Sequence, residues 1–414
     1  MINKIRSEII YLYAIQISNV ILPLITIPYL ARVLGADFFG KFSYAQAISV
    51  IAIFIVDFGF NFSGAREVSI NTSSRKKIDQ IYSNIQISKI LIYSVVLILG
   101  FLLFSFIPHS NIDALLLILA IAASISSVLM PSWFFQGVGR SSYVAFLNLA
   151  TRLISLLMIF IFVKSKQDIL IAAFLQLSAP VIAGIFMQCI IFKKKMVTLN
   201  IALFKKEISR SLLMESYHNF SASFFTLGFT YITPILIKTF LGDTILGIYS
   251  VADKLANVLR QFYNPLVQAN FAIICNSFKV KEFAEIKKRI KKIFWIFTFL
   301  SCAALLGNFF LGRFVISYVF GSQYNIISLL SIMIITQYIV SISIIVVNLV
   351  IIPAGNSYYL KKVYFIALVL YLIIFYPMLN FMGVYGVALS ISSTEFLIVI
   401  FFVKFIHQRK LLTK

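Results

Sequence analysis

Charge is scarce in this sequence, and negative charge is scarcest. Only 12% of its 414 residues are charged, and just 14 are acidic, against roughly 25% charged residues in an ordinary soluble protein. A chain so poor in charge cannot cover a water-facing surface of its own size. Its three cysteines, Cys189, Cys275 and Cys302, are too scattered for a disulfide framework or a metal site. The three histidines, His109, His218 and His407, are far apart and share no ligand spacing. There is no glycine-rich phosphate loop and no nucleophile elbow. The longest segments between apolar runs, 193–212 and 274–292, are too short to hold an ATPase or a transferase domain. ATP is therefore excluded as the fuel, and no metal or cofactor is expected. No cleavable signal peptide is expected either, because the first apolar run is long and follows only a short segment with Lys4 and Arg6.

What fills the chain is apolar surface. Hydrophobic residues make up 61% of it, and the mean hydropathy is +0.97. Runs near 20 residues, the length that crosses about 30 Å of hydrocarbon, recur at 9–31, 40–60, 85–107, 114–135, 143–163, 169–192, 213–237, 245–273, 293–312, 326–352, 360–380 and 384–406. The expected fold is an all-α integral membrane protein of about twelve transmembrane helices. A repeat divides them. Leu34-Gly35-x4-Gly40-x-Phe42-Ser43-x-Ala45 returns as Leu241-Gly242-x4-Gly247-x-Tyr249-Ser250-x-Ala252, 207 residues later, which is half of the 414-residue chain. Two six-helix lobes, 1–204 and 205–414, are expected, as in transporters built from internal repeats with a substrate site between them.

Basic residues orient the bundle. With the amino terminus inside, most of the 36 Lys and Arg fall in inside segments, notably Arg66 to Lys77, Lys193 to Arg210, Lys279 to Lys292 and the residues from Lys404 onward. The positive-inside bias places both termini in the cytoplasm. A net charge of +22 raises the question of a nucleic-acid partner. Basic loops that set topology and touch anionic headgroups explain it without one.

Of the nine prolines, all but Pro108 lie within or beside apolar runs, where kinks are tolerated. The chemistry lies in polar stripes. Asp253, Asn257, Arg260, Asn264 and Gln268 recur at steps of three and four in the eighth span, with Lys254 at the edge. Glu215, Asn219, Thr226, Thr230 and Thr233 line one face of the seventh, Gln16, Asn19, Pro23 and Thr26 one face of the first, and Gln46 and Asp57 one face of the second. An ionisable group at mid-bilayer costs roughly 2.5–3.5 kcal/mol even on insertion scales, so such stripes face water or one another. They read as the lining of a wet central cavity, or as interhelical glue in which Asp57 or Asp253 pairs with a basic neighbour. Asn148, Arg152 and Glu395 are the main polar exceptions in the remaining spans.

Several of these residues carry a family resemblance. Asn19-x3-Pro23 and the run from Pro28 to Gly35, then Phe39-Gly40, Asp57-Phe58-Gly59 and Ala65-Arg66-Glu67 resemble the opening of Wzx-type O-antigen flippases, of the multidrug/oligosaccharidyl-lipid/polysaccharide exporter superfamily. Trp133-Phe134-Phe135-Gln136-Gly137 resembles that group's tryptophan–glutamine–glycine signature. The motif ending Ala252-Asp253-Lys254-Leu255 resembles its eighth-helix motif, similar to the Ala-Asp-Arg-Leu of lipid II flippases. Gly139-x-Ser141-x-Tyr143 is echoed by Gly355-x-Ser357-x-Tyr359 at the start of the eleventh span.

The resemblance implies a V-shaped bundle around a cationic cavity in the bacterial inner membrane. There it would carry an undecaprenyl-diphosphate-linked oligosaccharide to the periplasmic leaflet, with a polysaccharide polymerase and a chain-length regulator as partners. Arg32 and Lys254 match basic positions of the family. Arg66, Arg152 and Arg260 are added from their span positions as diphosphate-binding candidates, since Arg offers bidentate pairing and Lys a point charge. Asp57, Glu215, Asn219, Asp253, Asn257 and Asn264 are the polar cavity residues, with Asp57, Glu215, Asp253 and Glu395 candidates for ion coupling. An exporter of drugs or metabolites with the same fold would want a more acidic cavity. A membrane-bound polymerase or ligase would need a large outside loop, and the longest outside segment is about a dozen residues.

Overall fold

The computed structural model describes residues 2–106 and 110–411, with side chains described for 22–102, 110–217, 220–221, 223–225, 231–271 and 273–411. Helix is the only regular structure among the described residues. In hydrocarbon no water satisfies backbone N–H and C=O groups, and a helix satisfies them within one segment. The helices are α1 (Ile2–Asp57), α2 (Phe60–Ile70), α3 (Arg75–Phe106), α4 (Asn111–Ala122), two short pieces α5 (Ser126–Leu129) and α6 (Ser132–Gly137), α7 (Ser141–Phe162), α8 (Ile169–Lys193), α9 (Lys206–Lys279), α10 (Phe283–Phe320), α11 (Ile327–Val346) and α12 (Tyr358–Gln408).

Among the described residues, nine helical stretches are long and apolar enough to cross a membrane, and three of them far exceed the need. Leu22–Ile70, Tyr231–Lys279 and Tyr358–Arg409 run 49, 49 and 52 residues, where about 20 suffice. Each long stretch contains a glycine whose backbone is not helical. Gly35 sits at φ 73°, ψ 169° and Gly242 at φ 85°, ψ 177°, an extended positive-φ region open essentially to glycine alone. Gly383, at φ 56°, ψ −131°, breaks the third. The repeated motif thus encodes one backbone device twice. In both copies the positions after the break are buried: Phe42, Ser43 and Ala45, then Tyr249, Ser250 and Ala252.

The second echo is also a backbone device. Arg140 N–H donates to Phe135 C=O at 2.8 Å and Gly139 N–H to Gln136 C=O at 3.1 Å; Asn356 donates to Ile351 at 3.0 Å and Gly355 to Ile352 at 2.9 Å. Both are Schellman caps with a positive-φ glycine at C′. Lys195 and Lys281 occupy the same position at the ends of α8 and α9. There a cation also meets the negative end of the helix dipole.

The chain divides into two compact units, Met1–Ser223 and Phe224–Lys414. In the first, the core gathers Phe60, Val68, Tyr82, Ile85, Met187 and Ile191 around Trp133, Phe134 and Phe135. The tryptophan–glutamine–glycine motif is therefore a packing element: its three aromatic rings are almost wholly buried, and Gln136 is exposed. In the second unit, Tyr263, Val267 and Ile274 of α9 pack with Ile286, Ile293 and Phe297 of α10 and Ile345 of α11. The outer surface, unlike that of a soluble protein, is itself strongly apolar. Serines such as Ser63, Ser88 and Ser390 are buried, while Phe299, Phe309, Phe310 and Phe314 lie exposed. Small polar residues admitted to the interior and large apolar ones on the outside are what lipid as solvent selects.

An ideal Cβ at Gly242 would meet nothing within 4 Å, so the constraint there is backbone conformation rather than space. Gly242→Ala should cost roughly 1–3 kcal/mol, read as a lower thermal-unfolding midpoint in detergent. Gly307 in α10 is equally open and has no positive φ. Gly307→Ala should leave the midpoint unchanged or raise it, through a stabilisation of about 0.5–1 kcal/mol. Equal effects at the two positions would refute the conformational account.

Candidate functional site

In the second unit, the part of α9 beyond Gly242 places Asp253, Asn257 and Arg260 on one helical face, with Lys254 at its edge. Asn257 hydrogen-bonds the Asp253 carboxylate. Its own amide oxygen accepts from Gln337 Nε2 of α11 at 3.2 Å, which fixes the orientation of the Asn257 side chain. Lys254 and Arg260 both act electrostatically on Asp253. Arg260 also lies within electrostatic reach of Glu395 and Tyr364, both carried by α12. Glu395 is only 6% exposed. Two cations, two carboxylates and two amides thus share one region of one unit.

The cluster is incompletely satisfied. Arg260 Nε and Gln337 Oε1 are buried without a hydrogen-bond partner among the described residues. Each such group costs about 1–3 kcal/mol unless a bound polar group takes up the bond. An unused guanidinium donor can donate to an oxyanion. The adjacent carboxylates set how much positive charge is left over. Asn264, one turn beyond Arg260, is half-buried and joins none of these bonds among the described residues.

The first unit holds charges in pairs. Lys89 of α3 is fully buried and donates to Asp57 Oδ1 at 2.7 Å and to the Ser127 carbonyl at 3.2 Å. Asn61 Nδ2 donates to the other Asp57 oxygen at 2.6 Å and Ser132 Oγ to Asn61 Oδ1 at 3.0 Å. This network straddles the break at Phe58 and Gly59, both at positive φ, where α1 gives way to α2. Arg66 Nη1 meets Glu215 Oε1 at 2.5 Å in a pair more than half exposed on the arginine side. Arg32 is exposed one turn before Gly35, and Arg152 is exposed on α7. Asn219, like Gln16, Asn19, Thr226 and Thr230, lies outside the residues whose side chains are described.

Residues 5–278 match the family model described as "Polysaccharide biosynthesis protein". The chain belongs to the polysaccharide biosynthesis protein family. Two relatives extend the likeness over the whole length. One from Escherichia coli (strain K12) is 28% identical over 417 residues, covering 99% of this chain and 98% of its own. One from Shigella dysenteriae is 28% identical over 400 residues, covering 96% and 99%. Both bear the name "Putative O-antigen transporter". Among solved structures, the outward-facing conformation of a multidrug resistance MATE family transporter of the MOP superfamily aligns with a TM-score of 0.60 at 13% identity, over 96% of this chain and 93% of that one. The Vibrio cholerae MATE transporter VcmN in the bent form aligns at 0.55 with 14% identity, over 97% of each chain. At such identities the likeness is one of fold. The expected all-α membrane architecture is that fold.

Among the site residues read from this family member's sequence, the structure gathers Asp253, Lys254, Asn257 and Arg260 and brings Glu395 to them. It pairs two others with each other, Arg66 with Glu215. Lys89 and Gln337 were not among those candidates. Lys89 had a signal, being a lone ionisable group in an apolar run, which marks function or pairing by default. Gln337 had only its polarity within α11.

Removing one member of a buried ion pair strands the other, at a cost of about 3–5 kcal/mol. Asp57→Asn and Lys89→Met should each lower the unfolding midpoint and the membrane abundance. The double variant Asp57→Asn/Lys89→Met should recover most of both. Single variants as stable as the parent would mean that the pair does not hold this part of the fold.

Proposed function

We propose that this chain is a flippase for an undecaprenyl-diphosphate-linked oligosaccharide, the repeat unit of O-antigen or a related surface polysaccharide, moved from the cytoplasmic to the periplasmic leaflet by alternating access. The observation that carries this reading is the end-to-end likeness to two relatives named as O-antigen transporters, within a polysaccharide biosynthesis family. The cluster supports it chemically. A diphosphate brings at least two negative charges, and Arg260 and Lys254 offer a forked donor and a point charge for them. Arg32, matched to a basic position of the flippases, would be the corresponding ligand in the first unit. In this reading both termini are cytoplasmic and the membrane is the inner one. The polymerase and chain-length regulator that act on the same repeat unit are its functional neighbours.

A second reading rests on one observation. Asp253 and Glu395 balance Lys254 and Arg260, so the cluster is not plainly cationic. A drug exporter of this fold would use those carboxylates to attract a cation. Binding of undecaprenyl diphosphate and not of cationic dyes to the purified protein supports the flippase; the reverse supports the exporter.

Lys254→Ala and Arg32→Ala should abolish most export at normal membrane abundance, and Lys254→Arg should retain part of it. The loss expected is roughly 1.5–3 kcal/mol per charged hydrogen bond, about 10–150-fold in binding. If Lys254 serves only to neutralise Asp253, the double variant Lys254→Ala/Asp253→Asn should export normally, and that rescue would refute its role as ligand.

Orientation is tested separately by labelling single cysteines in a cysteine-free background. Positions near 200 and 283 should react only from the cytoplasm, and positions near 110 and 322 only from the periplasm. The opposite pattern would reverse the direction of transport.

A further inference from the structure

The first turns of α10 present a face that the flippase reading does not use. Lys287, Lys288, Lys291 and Lys292 are all exposed. Their spacing of one, three and one places them on a single stripe. The opposite face is fixed: Ile286, Ile293 and Phe297 are buried, with Phe283 and Ile290 packed beside them, against Tyr263, Val267 and Ile274 of α9. The helix therefore cannot roll to hide the lysines. Glu285, the carboxylate nearest along the helix, is taken by Arg289 at 2.7 Å. Among the described residues none pairs with the four lysines.

The same stripe continues into apolar surface. Trp295, four residues beyond Lys291, is 59% exposed, and Phe299, four beyond that, is 72% exposed. At 1.5 Å per residue the indole lies about 6 Å below Lys291 and about 12 Å below Lys287. Tryptophan favours the boundary between headgroups and acyl chains, and the headgroup layer adds roughly 5–7 Å to each side of the hydrocarbon. With Trp295 at that boundary, Lys291 and Lys292 stand at the level of lipid phosphates, and Lys287 and Lys288 reach down to it along their aliphatic stems.

We propose that this stripe is a binding site for the phosphate of an anionic phospholipid in the leaflet the lysines face. Four fixed positive charges at phosphate depth, above an indole that packs the glycerol and upper acyl chain, match that headgroup in charge and in layer. A neutral zwitterionic lipid fits the indole but gains nothing from the lysines. Because the stripe lies apart from Lys254 and Arg260 in sequence and element, the inference does not depend on what those residues carry.

The chain contains only two tryptophans, and Trp133 is buried in the core of the first unit. Trp295 is therefore a built-in reporter. The full-length protein, reconstituted in phosphatidylcholine, is titrated with brominated phosphatidylglycerol or, separately, brominated phosphatidylcholine, and tryptophan quenching is followed. One engaged lysine near the surface is worth roughly fivefold. Brominated phosphatidylglycerol should therefore reach half-maximal quenching at a mole fraction at least about fivefold lower. Lys287→Gln/Lys288→Gln/Lys291→Gln/Lys292→Gln should abolish the difference, and the four Lys→Arg changes should preserve it. Equal quenching by the two lipids in the parent protein, meaning annular lipid only, would overturn the site. So would a preference that survives the Gln variant. Release of the quench by an equal amount of undecaprenyl diphosphate would assign the stripe to a lipid diphosphate instead and likewise overturn the proposal.

Discussion

A polar group inside hydrocarbon must find its partner within the protein, and this structure is arranged around that requirement. Water is absent there, so an unpaired N–H or C=O costs several kcal/mol. The backbone answers with helical stretches that continue, kinked at a glycine, past the length of a bilayer. Within α1 and α9 it bends where glycine adopts a conformation closed to other residues, at Gly35 and Gly242. Side chains answer the same demand by pairing: Lys89 with Asp57, Tyr263 with Ser301 at 2.7 Å, Thr233 with Tyr371 at 2.6 Å. The small buried serines follow from it too, since each can return its hydroxyl proton to a carbonyl one turn back, as Ser392 does to Ala388.

The same constraint explains which features could be read from the sequence. Helical spans are local and continuous, so apolar runs and the glycines between them reveal them directly. The break at Gly383 falls between the runs read at 360–380 and 384–406. The α9 stripe is also local: Asp253, Asn257 and Arg260 fall on one helical face with Lys254 at its edge. Partners are not local. Asp57 and Lys89 stand 32 residues apart, Asn257 and Gln337 80, and Arg66 and Glu215 149. Periodicity within one helix says that a charge needs company but not whose. The tryptophan–glutamine–glycine motif shows a different limit. Its residue types suit a sugar-facing surface as well as a core, and only the burial of Trp133, Phe134 and Phe135 decides for packing.

Pairing also bears on how a membrane site can hold a cation ready for an anionic cargo. A lone Arg or Lys would be too costly to keep in an apolar segment. A cation locked in a tight pair, as Lys89 is, has its positive charge cancelled at contact distance. Arg260 occupies the ground between these extremes. Asp253 and Glu395 act on it electrostatically, yet its Nε has no hydrogen-bond partner among the described residues. The carboxylates lower the cost of its charge without using up its directional donor. In the proposed reading a phosphate oxygen would accept from that donor, while the field of two carboxylates would keep the complex from becoming too tight to release. Transport needs both properties, because a carrier that binds its cargo without opposition does not let it go. In the proposed reading Asp253 and Glu395 would belong to the binding chemistry as much as the cations they face.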